Sequence, residues 1–301
     1  MSRWRYLSVL FVTLLIAAAC QQTPGGAAPT GGATPGGGAA SPAASPGNPN
    51  DLLAKVKQAG VLRVSTDPKY PPQSALTPKG WEGFDIDTAN EIAKRLGVTV
   101  KFETPDFAQV EKGGWAGRWD ISVGSMTITE PRLKVLDFTQ PYYYTPAQMA
   151  ARKSSGITTI EGFSGKTVCV AEATTYYAWL KGTLKLAGGA PPPAAPPQNV
   201  NVTTRTTDTD CVADPRSGEG WLTSSTTAAG ALKTRQGQQY QLVGDPVFYE
   251  PLGVAIDKKG PPHDELLKEI DRIIGEMHAD GTLSASSKKW FDGQDLTKAE
   301  G

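Results

Sequence analysis

Residues 85–102, DIDTANEIAKRLGVTVKF, carry two hydrophobic periods back to back. Ile86, Ala89, Ile92, Ala93 and Leu96 recur at the spacing of one helical face, and Gly97 supplies the stop. From Val98 to Phe102 the period falls to two, which predicts a strand. The same alternation runs outward in both directions. Upstream, 51–59 places Leu52, Leu53 and Val56 on one helical face before Gly60, and 61–65 reads as a strand ending in Thr66-Asp67-Pro68. Downstream, 120–124 reads as another strand. The pattern then restarts: strand 166–171, helix 174–186, strand 199–205, helix 209–216, strand 220–224 and helix 225–233. Between them, 188–198 carries Pro191, Pro192, Pro193, Pro196 and Pro197, which cannot feed a ladder or continue a helix, so it reads as a surface loop. The chain closes with an amphipathic helix over 264–279 and a last helix bearing Leu283, Trp290 and Phe291. Strands alternating with helices predict an α/β protein with parallel sheets in two lobes, its ligand cleft at the carboxyl ends of the strands.

The first 50 residues stand outside that pattern. Residues 1–19 place Arg3 and Arg5 ahead of an apolar run that closes on Ala17, Ala18 and Ala19, the charge, length and exit of a signal peptide. That run is shorter than the ~20 apolar residues a spanning helix needs. Cys20 follows directly, the pattern of bacterial lipoproteins, although Ala17 stands where those usually carry Leu. Ordinary cleavage after Ala19 is the alternative. Residues 21–50 are almost wholly Gly, Ala, Pro, Ser and Thr, and a stretch with so little to bury reads as a flexible tether behind an anchored Cys20.

Lys plus Arg number 30 and Asp plus Glu 30, a balance without the basic excess that nucleic acid would demand. After Cys20 the cysteines are Cys169 and Cys211; in an exported chain such a pair suggests a disulfide, with two buried thiols as the alternative. The histidines, His263 and His278, fall on the C-terminal helical stretch and read as surface residues. No zinc spacing, nucleophile elbow or phosphate loop is present, so neither metal, cofactor nor enzymatic activity is expected.

Six short segments, taken in order, resemble the family 3 extracellular solute-binding proteins of amino-acid uptake transporters. They are 62–72 (LRVSTDPKYPP), 83–87 (GFDID), 124–132 (GSMTITEPR), 137–143 (DFTQPYY), 279–283 (ADGTL) and 289–291 (KWF). The resemblance implies a two-lobe type II clamp with hinge crossings near 144–147 and 249–251. Lobe one would comprise 51–145 and 250–301, and lobe two 146–249. It further implies a monomer that hands a small carboxylate ligand, most simply an amino acid, to the membrane permease of an ABC importer. Through Cys20 the protein would be held by lipid at the outer face of the cytoplasmic membrane.

The resemblance also assigns roles. Arg132 would take the ligand α-carboxylate, since its planar fork matches two oxygens; the alternative is a solvated Arg paired with Glu130 or Glu111. Ser125 and Thr127, two apart at a strand end, share a face and would bind the ammonium and carboxylate. Thr174 and Thr175 would close on the carboxylate from a helix start, where Thr174 also suits a cap. Tyr70 would form an aromatic wall, with Trp81 and Trp115 as further candidates, and Asp67 would face the ligand side chain or cap its turn. Ser224 stands where relatives that bind α-amino acids carry Asp for the ammonium, and Gln73 where many carry an aromatic residue. A Ser cannot balance a buried ammonium, so Glu172, Asp67 or Glu82 would supply the charge, or the ligand lacks a conventional α-amino group. A dehydratase on this fold is the enzymatic rival, with Glu172 its acid–base candidate. A sensor would need a membrane segment after the clamp, and the chain reaches Gly301 without one.

Overall fold

The computed structural model describes residues 48–187 and 190–299. The proposed signal peptide, Cys20 and the tether up to residue 47 lie outside the described residues. No helix among those described is long and apolar enough to cross a membrane.

In chain order the elements are α1 (Leu52–Ala59), β1 (Val61–Ser65), β2 (Lys69–Tyr70), β3 (Ser74–Thr77), β4 (Gly80–Glu82), α2 (Phe84–Leu96), β5 (Thr99–Glu103), α3 (Phe107–Glu111), β6 (Ile121–Thr127) and β7 (Leu136–Arg152). There follow β8 (Thr167–Ala171), α4 (Thr175–Leu180), β9 (Asn201–Arg205), α5 (Asp208–Ala213), β10 (Gly220–Ser224), α6 (Ser225–Leu232), β11 (Tyr240–Asp257), α7 (Asp264–Ala279) and α8 (Thr282–Trp290). The expected helices and strands are present. The helix read over 174–186 is shorter, because Gly182 at φ 67° takes the left-handed turn that ends it. Residues beyond it return towards β6, where Glu130 N donates to Lys185 O at 3.0 Å and Ala187 N to Ile128 O at 3.1 Å. The small β2–β3–β4 sheet and α3 were not anticipated.

The main sheet runs β5-β1-β6-β11-β7-β10-β8-β9. β1 is parallel to β5 and β6, and β8 is parallel to β9 and β10, as the alternating pattern requires. Its middle is antiparallel: β7 and β11 are long strands that pair with each other and link the two parallel halves. Each half has its own apolar filling. In the first half α1, α2, α7 and α8 cover the sheet with Leu52, Ile92, Ile270, Ile274 and Leu283 among the buried side chains. In the second, Phe163, Val170, Trp179, Leu222 and Phe248 pack together. Cys169 of β8 and Cys211 of α5 are bridged, with Cα atoms 5.7 Å apart, which ties α5 to the sheet.

α2 starts where two constraints meet. Its first free amides are met by the β2–β3 turn, Phe84 N donating to Pro72 O at 3.2 Å and Asp85 N to Gln73 O at 2.8 Å. Asp85 and Asp87 in the first turn and Lys94 and Arg95 in the last suit the helix dipole. Gly83 sits at φ 131°, and a Cβ there would lie 2.3 Å from Gln73 O. Gly83→Ala should therefore cost about 2–4 kcal/mol, from backbone strain together with overpacking. Urea unfolding would read this as a lower midpoint; an unchanged midpoint would refute the constraint.

Candidate ligand-binding site

β1, β6, β8 and the middle of β11 end around one cavity between the halves, with about 450 Å³ of atom-free space including its mouth. From the first half it is lined by Asp67, Tyr70, Ser125, Thr127 and Arg132, and from the second by Thr174 and Thr175. Seven of the eight ligand-site residues expected from the sequence thus share one cavity. Ser224 does not line it: fully buried at the end of β10, its Oγ accepts from Thr227 N at 3.2 Å and so caps α6. Trp81 packs on Phe102 and Trp115 on Trp119, both away from the cavity. Glu82 and Glu172 are exposed and do not line it either, so the suggested charge donors reduce to Asp67. His263, expected at the surface, is buried and meets Asp137 at 3.1 Å; His278 is half-buried and contacts Pro141 O.

Arg132 follows β6 on a short 3₁₀ turn, which swings its side chain back under the strand end. It is 4% exposed. Nη1 donates to Thr127 O and Nη2 to Ala173 O, each at 3.0 Å, so the guanidinium touches both halves. Nε lies 3.6 Å from Glu111, and the Phe107 ring sits 5.2 Å beneath the guanidinium. Glu111 is one of the two partners weighed for a solvated Arg132, yet the side chain is buried. Guanidinium carries five N–H donors, so one further hydrogen remains on each Nη for the two oxygens of a carboxylate. Burial pulls the Arg132 pKa down, opposed by Glu111 and Glu250.

Glu250 is the main residue that sequence reading passed over: it appeared only as a hinge position. It lies on β11 opposite Thr145 of β7 and is 2% exposed. Thr127 Oγ1 donates to its Oε1 at 2.6 Å, Thr175 Oγ1 donates to the same oxygen, and Tyr176 OH donates to Oε2 at 2.8 Å. Burial raises its pKa; those three hydroxyls and the Arg132 charge pull it down. Tyr176 also meets Tyr70 across the cavity, hydroxyl to hydroxyl, at 3.3 Å. Thr174 caps α4, accepting from Tyr177 N at 3.3 Å, and donates to Ala171 O at 2.7 Å.

Ser125 is held by the first half. Its backbone has φ 53°, its N–H donates to Tyr142 OH at 3.0 Å, and its hydroxyl donates to Asp85 Oδ2 at 2.7 Å and meets Tyr143 OH at 2.6 Å. Asp85 is completely buried, which pushes its pKa up to about 7 against the bonds from Ser125 and Tyr142. Asp67 Oδ1 accepts from Lys69 N at 2.7 Å, the turn-capping role, while its side chain also faces the cavity.

The family model for bacterial extracellular solute-binding proteins, family 3, matches residues 62–293. The L-cystine-binding protein TcyJ of Escherichia coli (strain K12) is 32% identical over 251 residues, covering 82% of this chain and 88% of the relative. Among solved structures, an ancestral arginine-binding protein bound to arginine aligns with TM-score 0.66 and 30% identity, over 77% of this chain and 98% of that one. The ancestral amino acid-binding protein AncCDT-1, a precursor of cyclohexadienyl dehydratase, aligns with TM-score 0.66 and 29% identity, over 80% and 100%. The α/β architecture is accordingly the two-lobe type II clamp of periplasmic binding proteins, and the chain belongs to the family 3 bacterial extracellular solute-binding proteins.

Proposed function

We propose that this protein captures a free amino acid outside the cytoplasm and delivers it to the membrane permease of an ABC importer. The observation that carries the reading is Arg132: a buried guanidinium, in contact with both halves of the clamp, keeps hydrogens for a carboxylate at the cavity between them. Lobe one then comprises 51–145 and 250–301, and lobe two 146–249, with β7 and β11 as the two crossings. Tyr70 walls the ligand, Thr127, Thr174 and Thr175 flank its carboxylate, and Ser125 contributes from the strand end. Cys20 carries the lipid that holds a monomer at the outer face of the cytoplasmic membrane, with 21–50 as its tether. A dehydratase finds little support, since Glu172, the acid–base group it would use, is exposed and outside the cavity. Native mass spectrometry of the purified protein, followed by calorimetry with the twenty amino acids, tests the proposal. A co-purified or titrated amino acid is expected; turnover of a prephenate-like substrate, or binding of none of the twenty, would overturn it.

A further inference from the structure

The cavity holds more acid than base. Asp67, Asp208 and Glu250 line it against the single guanidinium of Arg132. These acids are not equally answered. Glu250 receives three hydroxyl donors and faces Arg132. Asp208, the first residue of α5, is 6% exposed, and its Oδ1 has no hydrogen-bond partner. The Thr223 hydroxyl and the Ala171 N–H lie near its carboxyl group, but the charges that bear on it most are Asp67 and Glu250, both negative. A first-turn acid suits a helix dipole; that role does not require burial against a cavity with an oxygen left bare. Placement is rigid, because the Cys169–Cys211 bridge fastens α5 to β8 three residues further along. Ser224, the position expected to answer the ligand ammonium, is bonded to Gln73 and Thr227 and does not line the cavity. The ammonium charge must therefore be met elsewhere, since a buried cation without a counter-charge is costly.

We propose that Asp208, with Asp67 beside it, forms a cation subsite, so that the cavity selects amino acids bearing a cationic side chain in addition to the ammonium. This rests on the amino-acid reading above. The carboxylate of such a ligand engages Arg132, and its two cationic groups answer Asp208, whose Oδ1 has no partner, and Asp67, whose Oδ1 already takes the Lys69 N–H. Neutral and acidic amino acids leave at least one of them unpaired.

The test is calorimetry on the full chain, stripped of ligand by unfolding and refolding, with L-arginine, L-lysine, L-citrulline and L-glutamine as probes. Arginine and citrulline have nearly the same shape and differ in charge. Arginine or lysine should bind roughly 30-fold or more tighter than citrulline and glutamine, the scale expected for a desolvated charge pair. Asp208→Asn should bring the ratio to within about threefold, with a melting temperature at or above wild type. Should that variant not fold, Asp67→Asn, at a half-buried position, carries the same comparison. Preference for glutamine or citrulline in the wild type, or an undiminished ratio in the variant, overturns the subsite while leaving the amino-acid reading standing. Binding of none of the twenty amino acids removes both.

Discussion

Arg132→Ala should abolish ligand binding within the measurable range and leave a folded protein. Removing one partner of a desolvated charge pair costs ~3–5 kcal/mol, which converts to roughly 10²–10⁴-fold in affinity. The fold should survive because Arg132 is not part of an apolar core: its hydrogen bonds run to Thr127 O and Ala173 O at the cavity wall, where water can replace it. Burial already disfavours its charge, so the ligand-free protein loses little by its removal. Arg132→Lys separates charge from shape. A single ammonium cannot place two parallel donors on a carboxylate, so affinity should recover only in part. Titration calorimetry of the three proteins, with far-ultraviolet circular dichroism as the folding control, reads the result. Wild-type affinity in Arg132→Ala would end the assignment of the carboxylate site, and with it the orientation of the ligand in the cavity.

Much of this site could be read before any coordinates because its residues come from short, ordered segments. Asp67, Tyr70, Ser125, Thr127, Arg132, Thr174 and Thr175 all lie at or just beyond the ends of β1, β6 and β8, and they converge because parallel strands end on one side. Asp208 and Glu250 escaped for different physical reasons. The carboxylate of Asp208 sits in an Asp- and Thr-rich stretch that reads as a solvated helix start, and only the disulfide and the packing of α5 turn it inward. Glu250 lies within β11, and the two crossings were the least legible part of the fold. β7 contains Pro141 and Pro146, and β11 contains Pro246 and Pro251, residues that argue against a central strand because they cannot donate to a ladder. Pro246 and Pro141 fall at register shifts, between Val243 and Phe248 and between Leu252 and Gly253, while Pro146 and Pro251 stay in register opposite Tyr249 and Tyr144. The overlong helix at 174–186 has a related cause. Its apolar residues kept helical spacing after Gly182 had already turned the chain, and pairing with residues 128–130, just beyond β6, claimed what followed.

Gln73→Ala should weaken binding by roughly 30–150-fold, counted as ~2–3 kcal/mol for its lost hydrogen bonds, without altering any group in the cavity. Gln73 does not line the site; it lies in the β2–β3 turn, fully buried. Its Nε2 donates to Ser224 Oγ at 2.9 Å and Thr226 Oγ1 at 2.7 Å, and its Oε1 accepts from Thr227 Oγ1 at 3.0 Å. All three partners cluster at the start of α6 in the second half, so this side chain holds the halves together. Gln73 and Ser224 thereby form one polar contact between the halves. A ligand that needs both Arg132 and Thr175 binds the approached arrangement, so any change that favours separation lowers its apparent affinity in proportion to the approached population. The same change should leave each half intact. Small-angle scattering of the ligand-free variant should give a larger radius of gyration than wild type, and saturating ligand should return it to the wild-type value. The loss should appear mainly as faster dissociation. Ser224→Ala should act in the same direction but add less than its own effect to Gln73→Ala, because the two share a bond. Unchanged affinity together with wild-type scattering would show that the Gln73 contact does not govern closure.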